Sequence, residues 1–385
     1  MFSILSIYSL YPMMRMIGEI MKLATRDVQP EQSYKKRRRL SLFLVLLVLC
    51  ALLLTVILLA VSFGSVAISF GTILQIVLNG TGLFHFARQW DVSAEVIIWQ
   101  VRLPVVIGAA LVGAALAVAG ALFQGMLRNP LADPFLIGTS SGAALGATIA
   151  FVLPFETIYG TYFPLTMVLA FIGALTTVFF VYGIARTGGN TPVVTLLLAG
   201  VVVNAVLVAL QTLILTLFPR EQFQLQALFN WLSGGIEVTN WFPLGVVAIV
   251  IIIGIALSLS LSRILDSLSL GEESASHLGL HVERYKFLLV VIASCLTAAA
   301  VSISGLVGFV GLVTPHVMRL LLGPKHRSLL PASALGGAIF LTLADLLART
   351  VIAPAVLPVG VFTALVGAPF FLILLRRSKS RIEGW

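Results

Sequence analysis

The sequence predicts an all-α polytopic membrane protein with about ten transmembrane helices. Three observations carry that prediction. Hydrophobic residues fill 59% of 385 positions and charged residues only 10%, and the mean hydropathy is +1.08. A soluble domain carries about 25% charged residues to stay solvated, so water cannot cover this surface. Apolar runs recur at the length that crosses a bilayer core, roughly 20 helical residues. These runs lack the strand-like alternation of a membrane barrel and are too long for barrel strands.

Taken in order, the runs place spans at roughly 40–62, 103–127, 135–154, 164–185, 193–218, 239–262, 287–303, 305–323, 329–348 and 357–375. Pro, Asn, Gly and charged residues lie between them, where the backbone leaves hydrocarbon. The resulting organisation is an N-terminal extension over 1–39, a ten-helix domain over 40–378 with a polar connecting segment at 263–286, and a tail over 379–385.

Charge orients the bundle. With a cytoplasmic N-terminus, the run Lys35–Arg39 shares a side with Arg128, Arg186, Arg263, Arg284, Lys286, Arg319, Lys325, Arg327 and the tail residues Arg376, Arg377, Lys379 and Arg381. The other side keeps Arg88, Arg102, Arg220 and Arg349. This is the positive-inside bias, and an even span count puts both termini in the cytoplasm of a multi-pass cell-membrane protein. The net charge of +9 is therefore topological. No nucleic-acid partner is called for, because the basic run abuts the first span. Residues 1–34 receive no function: an interfacial helix and an upstream start both fit "MFSILSIYSLYPMM" and the methionines after it. Cys50 and Cys295 lie within apolar runs and read as buried hydrophobes, with no disulfide framework or metal site implied.

Polar features interrupt the spans. Arg102-Leu103-Pro104 opens the second. In "GALFQGMLRNPLADPFLIGTSSGAALGA", Asn129-Pro130 and Asp133-Pro134 favour a tight inner turn, and the small residues that follow let a helix approach closely. In "SGLVGFVGLVTPHVMRLLLG", Gly305, Gly308 and Gly311 precede Pro315, His316 and Arg319. Glycines three apart permit close helix contact, and a proline frees backbone groups. Small residues in spans read first as packing surfaces. Arg319 can snorkel to the headgroups. Asp345 and Arg349, spaced i, i+4, fit an ion pair on one helix face. Gln124 and Asn204 are amides well inside spans, suited either to line a pathway or to bond between helices.

The motifs "RLP", "GALFQGMLRNPLADPFLIGTSSGA", "LGEESASHLGL", "GLVGFVGLVTPHVMRLL" and "LPVGVFTALVGAPFF" occur in that order between residues 40 and 378. Together they resemble the membrane permeases of binding-protein-dependent ABC importers for iron-siderophores, haem and vitamin B12. The resemblance implies a type II importer fold of ten spans per subunit. It also implies a second permease subunit, identical or paralogous, two cytoplasmic ATPase subunits and an extracellular solute-binding protein. The chain contains no G-x-x-x-x-G-K-[ST] loop, so it is not itself an enzyme and binds no cofactor of its own. ATP and magnesium belong on the partner ATPases. Arg102 and Arg349 match the family's outer-face arginines for docking the binding protein. Where some relatives carry a second arginine after "RLP", this chain has Val105. An iron-siderophore cargo is the expectation from the commonest substrate class in the family, with haem and vitamin B12 as alternatives.

The polar stretch "SLGEESASHLGLHVERYK" stands apart from the oily remainder. Ser269 and Glu272 fit an S-x-x-E capping box, the glutamates suit a helix N-terminus, and Gly279 is a natural stop. A second short helical piece from His281 to Lys286 would lead into the seventh span. Glycine between His277 and His281 breaks the spacing a metal would need. Chemistry alone leaves a solvated connector or a docking element. The resemblance implies a coupling helix for the ATPases, with Glu272, Glu273, Ala275, Leu278 and Gly279 at its contact. An ion-coupled secondary transporter would need membrane-embedded carboxylates facing a cavity, and Asp345 is the lone candidate.

Overall fold

A computed structural model describes residues 42–382 apart from 65, 67, 81, 83–85, 154–156, 159–162, 219–221, 239 and 354. The N-terminal extension, Arg220 and residues 383–385 lie outside these, as do the side chains of the tail arginines and lysine. The helices in order are α1 (Leu42–Ser62), α2 (Phe70–Gly80), α3 (Val92–Met126), α4 (Thr139–Val152) and α5 (Leu165–Ala185). Then come α6 (Val193–Leu217), α7 (Gln222–Leu232), α8 (Trp241–Ser260), α9 (Ser262–Ser269) and α10 (Glu272–His277). The last four are α11 (Val282–Ser304), α12 (Val310–Leu322), α13 (His326–Thr350) and α14 (Val359–Ile382). A two-residue antiparallel pair, Thr157–Ile158 with Phe163–Pro164, closes the link from α4 to α5.

Ten of these helices coincide with the ten expected spans. Among the described residues, seven are long and apolar enough to cross a membrane, while α4, α12 and the apolar part of α14 (Val359–Leu372) are shorter. The short α2 and α7 were not foreseen, since neither reaches spanning length. Below, the end of the bundle that carries α9 and α10 is called the basic end.

The core forms around α3 and α11, whose apolar windows are 72% and 78% buried, against 11% for α1 and 17% for α6. Small residues make this possible. Lipid tails offer helices no hydrophobic reason to associate, so close backbone approach and interhelical hydrogen bonds hold the bundle. A methyl group on Gly120 of α3 would overlap the carbonyl oxygen of Gly311 in α12. Gly113 of α3 and Gly337 of α13 exclude each other's side chains in the same way.

Several boundaries differ from the sequence expectation, two of them at motif residues. The second span starts at Val92 and runs through a π-helical turn at Ile97–Arg102, so "RLP" lies inside a longer helix. The eighth starts at Val310, because residues 305–309 leave the helix. Gly305 sits at φ 58° and Phe309 at φ 68°, in the left-handed region that interrupts helical bonding. At membrane depth such backbone must find partners within the protein. A loop after α7 supplies them: Gly235 N–H donates to Ser304 O (3.0 Å) and Glu237 N–H to Ile303 O (2.9 Å). Of the three glycines, Gly305 packs on the Trp231 carbonyl and Gly311 on α3, while Gly308 has nothing within 4 Å of its would-be side chain. They therefore do not form one packing face.

Candidate functional site

The segment between α8 and α11 is built from two short helices. In α9, Leu265 and Leu268 turn into the core, and Asp266 accepts from His326 at both the backbone N (2.9 Å) and Nδ1 (2.7 Å). That contact anchors α9 to the start of α13. The expected capping box is absent. Ser269 is the last residue of α9, and its hydroxyl donates back to the Asp266 carbonyl at 2.6 Å. Gly271 takes the position before α10 instead, at φ 124°, where a side chain would be strained.

At its other end α10 closes as the sequence expects. Leu280 N–H donates to Ala275 O (3.2 Å) and Gly279 N–H to Ser276 O (2.9 Å), with Gly279 at φ 79°. These two bonds are the Schellman pattern, and Leu280 packs on the core behind it. The piece His281–Lys286 is not separate: α11 begins at Val282.

The side chains of α10 divide by exposure. Ala275 is fully buried in the main core, which corrects its expected place at a partner contact. A larger residue there acts on this chain's own packing. Leu278 and Leu270 are 65% and 71% exposed, flanking exposed Glu273, His277 and Gly279. Two large apolar side chains thus project from a polar segment.

Glu272 is half-buried and turns toward α11, where its Oε1 lies 3.1 Å from Lys286 Nζ. Lys286, counted above as a surface charge, is only 4% exposed. Its ammonium also donates to Glu283 Oε1 (2.9 Å) and to the Thr191 carbonyl (2.6 Å). Two carboxylates and a carbonyl compensate a charge that would otherwise be costly to bury.

The turn between α3 and α4 folds as its residues dictate. Asn129 Oδ1 accepts from Leu131 N–H (2.9 Å), with Pro130 between them, and Asp133 Oδ1 accepts from Phe135 N–H (2.8 Å). Burial pushes the Asp133 carboxyl up to about 6, although the Phe135 N–H works the other way. A raised folded-state value means the native state binds this proton more tightly, so stability falls as pH rises from about 4 to about 6. Asp133→Asn keeps the acceptor and is expected to flatten that part of the unfolding-midpoint profile. A profile as steep as the parent's would contradict the assignment.

Inside the bundle, Gln124 joins α3 to α12. Pro315 has no N–H for the Gly311 carbonyl four residues back. Gln124 Nε2 fills that gap, donating to Gly311 O (3.1 Å) and Leu312 O (3.3 Å). Its Oε1 accepts from Arg319 Nη1 at 3.0 Å. Arg319 is therefore tied inward, not extended to the headgroups. Asn204 stands on the exposed side of α6, between Val201, Val202 and Val206.

At the end opposite the basic one, Arg102 is buried, 4% exposed. It donates to the carbonyls of Val61 (2.7 Å) and Ser62 (3.1 Å) at the end of α1, and to that of Val66. Its guanidinium thus caps a helix C-terminus, where positive charge is favoured. Arg349 pairs with Asp345, Nε to Oδ2 at 2.9 Å and Nη2 to Oδ2 at 2.6 Å, as the spacing expects. The one carboxylate within the spans expected from sequence is thereby engaged. The burial of Arg102 and Lys286 was not marked in the sequence: the carbonyls that Arg102 meets lie 36 to 41 residues away and the Thr191 carbonyl that Lys286 meets lies 95 away, although Glu283 is only three residues from Lys286. A buried metal site has no counterpart here: among the described residues no three His, Cys, Asp or Glu side chains gather.

The chain is similar to other proteins over most of its length. The chain is 45% identical over 289 residues to the cobalamin import system permease protein BtuC of Halobacterium salinarum, covering 75% of this chain and 76% of that one. It is 42% identical over 304 residues to the hemin transport system permease protein HmuU of Yersinia pestis, covering 78% and 90%. A solved ABC transporter assigned to the metal-chelate type, in an inward-facing conformation, superposes with a TM-score of 0.74 at 31% identity over 86% of this chain and 99% of that one. The profile of the FecCD transport family matches residues 52–377, almost the whole of the helical domain, and the chain belongs to that family.

Proposed function

We propose that this chain is the permease subunit of an ATP-driven importer for a metal chelate, working with a second permease subunit, two ATPase subunits and a solute-binding protein. The observation that carries the reading is the pair of exposed leucines, Leu270 and Leu278, on the polar α9–α10 segment. Two large apolar side chains held out together, one in the turn before α10 and one at its end, suit the groove of a partner. The basic end is then cytoplasmic, and Glu273, Leu278 and Gly279 face the ATPase. Glu272 and Ala275 support that contact from inside.

Asn204 lines the pathway in this reading. An amide on the exposed side of a span is costly against lipid and compatible with a water-filled route or a second subunit. Gln124, Gly305 and Gly311 keep the route's walls packed. Arg349, at the opposite end, is the better placed of the two arginines to meet an acidic binding protein, since its side chain is 15% exposed beside Asp345 and the Ala60 carbonyl, whereas Arg102 is buried against α1. Arg349→Glu is expected to weaken binding-protein affinity, more at low salt than at high. Affinity unchanged at low salt would remove this contact.

An iron-siderophore is the first cargo to test. Cobalamin and haem form the second reading, favoured by the names of the two relatives above. Uptake of labelled iron-siderophore, haem and cyanocobalamin in a deletion strain, with and without the restored gene, separates them. Uptake that survives ATP depletion and collapses with the proton gradient would overturn the importer reading and favour an ion-coupled transporter.

A further inference from the structure

We propose that Lys286, held by Glu283, is a positioning residue that passes displacement of α10 to α6, the helix bearing Asn204. The proposal rests on the importer reading above and names the route that motion takes through this chain.

The route can be followed atom by atom. Glu272 on α10 holds the Lys286 ammonium at 3.1 Å. Lys286 and Glu283, three residues apart, occupy the first turns of α11. Together they grip both backbone groups of Thr191: Lys286 Nζ donates to its carbonyl at 2.6 Å, and its N–H donates to Glu283 Oε2 at 3.0 Å. Thr191 stands two residues before Val193, where α6 begins, and Pro192 carries the chain into the helix.

The grip is stiff on both sides. Thr187 and Asn190 exchange backbone hydrogen bonds of 2.9 and 3.1 Å around Gly188-Gly189, which closes the turn before Thr191. On the other side, the glycine stop closes α10 into one short helix, with Ala275 buried beneath it, so that Glu272 moves with the helix as a unit. Between α10 and the turn lies an open cleft of about 610 Å³, lined by Asn190, Thr191, Glu272, Ser276, His281 and Arg284. Across it the charged side chains form the bridge. A shift of α10 therefore moves the lysine, and the lysine moves the inner end of α6. That helix is 17% buried within this chain over its apolar window, so few contacts with the rest of the chain oppose its displacement.

The test uses the complete importer in proteoliposomes, with cargo transported per ATP hydrolysed as the readout. The probe is whichever of labelled iron-siderophore, haem or cyanocobalamin the uptake assay selects. Lys286→Met is expected to assemble with the ATPases and hydrolyse ATP, with cargo per ATP reduced about tenfold. Lys286→Arg keeps the charge and is expected to restore most of the ratio. An unchanged ratio in Lys286→Met overturns the proposal, as does equal loss in both variants, which would mean packing alone. Lost ATPase association in Lys286→Met would make the residue a docking determinant and also overturn it. If Lys286→Met fails to accumulate, Glu283→Gln, which leaves Lys286 paired with Glu272, must lower the same ratio, and an unchanged ratio there decides against. Failure of the parent chain to assemble with any ATPase would instead strike the importer reading itself.

Discussion

Leu278→Asp is expected to weaken association with the ATPase subunits at least about 30-fold, as for an interface anchor whose loss costs about 2 kcal/mol. Membrane insertion and thermal stability should stay at the parent level, because the side chain is 65% exposed and supports nothing beneath it. Leu270→Asp should act in the same direction. Co-purification of the ATPase from detergent, measured against the parent, reads the effect. Unchanged co-purification in both variants would reject the α9–α10 surface as the docking element. A bulky residue at Ala275 is a different experiment. That side chain is fully buried, so its enlargement is expected to destabilise the chain before any docking is read.

Gln124→Leu is expected to lower stability by about 3 kcal/mol, the scale for leaving buried polar groups without partners. The substitution leaves the Gly311 carbonyl without a donor, takes a second donor from the Leu312 carbonyl, which faces the His316 N–H one turn on, and removes the acceptor of Arg319 Nη1. Pro315 cannot repair the first loss, and no water reaches hydrocarbon to repair it from outside. Gln124→Glu keeps an acceptor for Arg319 while losing the donor, so it should fall between. The unfolding midpoint in detergent separates the three proteins. A Gln124→Leu midpoint equal to the parent's would mean that another group satisfies the Gly311 carbonyl freed by Pro315.

These outcomes depend unequally on what the residue order alone reveals. The inner turn was legible because its partners are local: Asn129 and Asp133 each accept from a backbone N–H two residues ahead. The pairing of Asp345 with Arg349 was legible for the same reason. The capping box at Ser269 failed because a motif of four residues does not say which of two adjoining helices owns it. Ser269 closes α9, and Gly271 opens α10. Even the glycine triplet at 305, 308 and 311 misled, since spacing of three describes a face only while the backbone stays helical.

The lysine and the arginine make the same point about charge. As entries in a topological tally Lys286 and Arg102 belonged at a membrane surface, yet both are buried. Their compensating carbonyls and carboxylates come from as far as 95 and 41 residues away. A hydropathy window around Lys286 contains Glu283 but neither Glu272 nor Thr191, and one around Arg102 contains none of its partners.

By itself, then, the sequence determined that this is a ten-helix membrane bundle with one capped polar segment between the sixth and seventh spans. Bilayer thickness sets the length of each apolar run, and helix stops are written in adjacent residues, so both are local properties. Only the tertiary structure decided which charges face a partner and which are locked inside, and that Gln124 serves the carbonyl Pro315 leaves open. Those assignments depend on hydrogen bonds between distant segments, which exist only once the helices have packed.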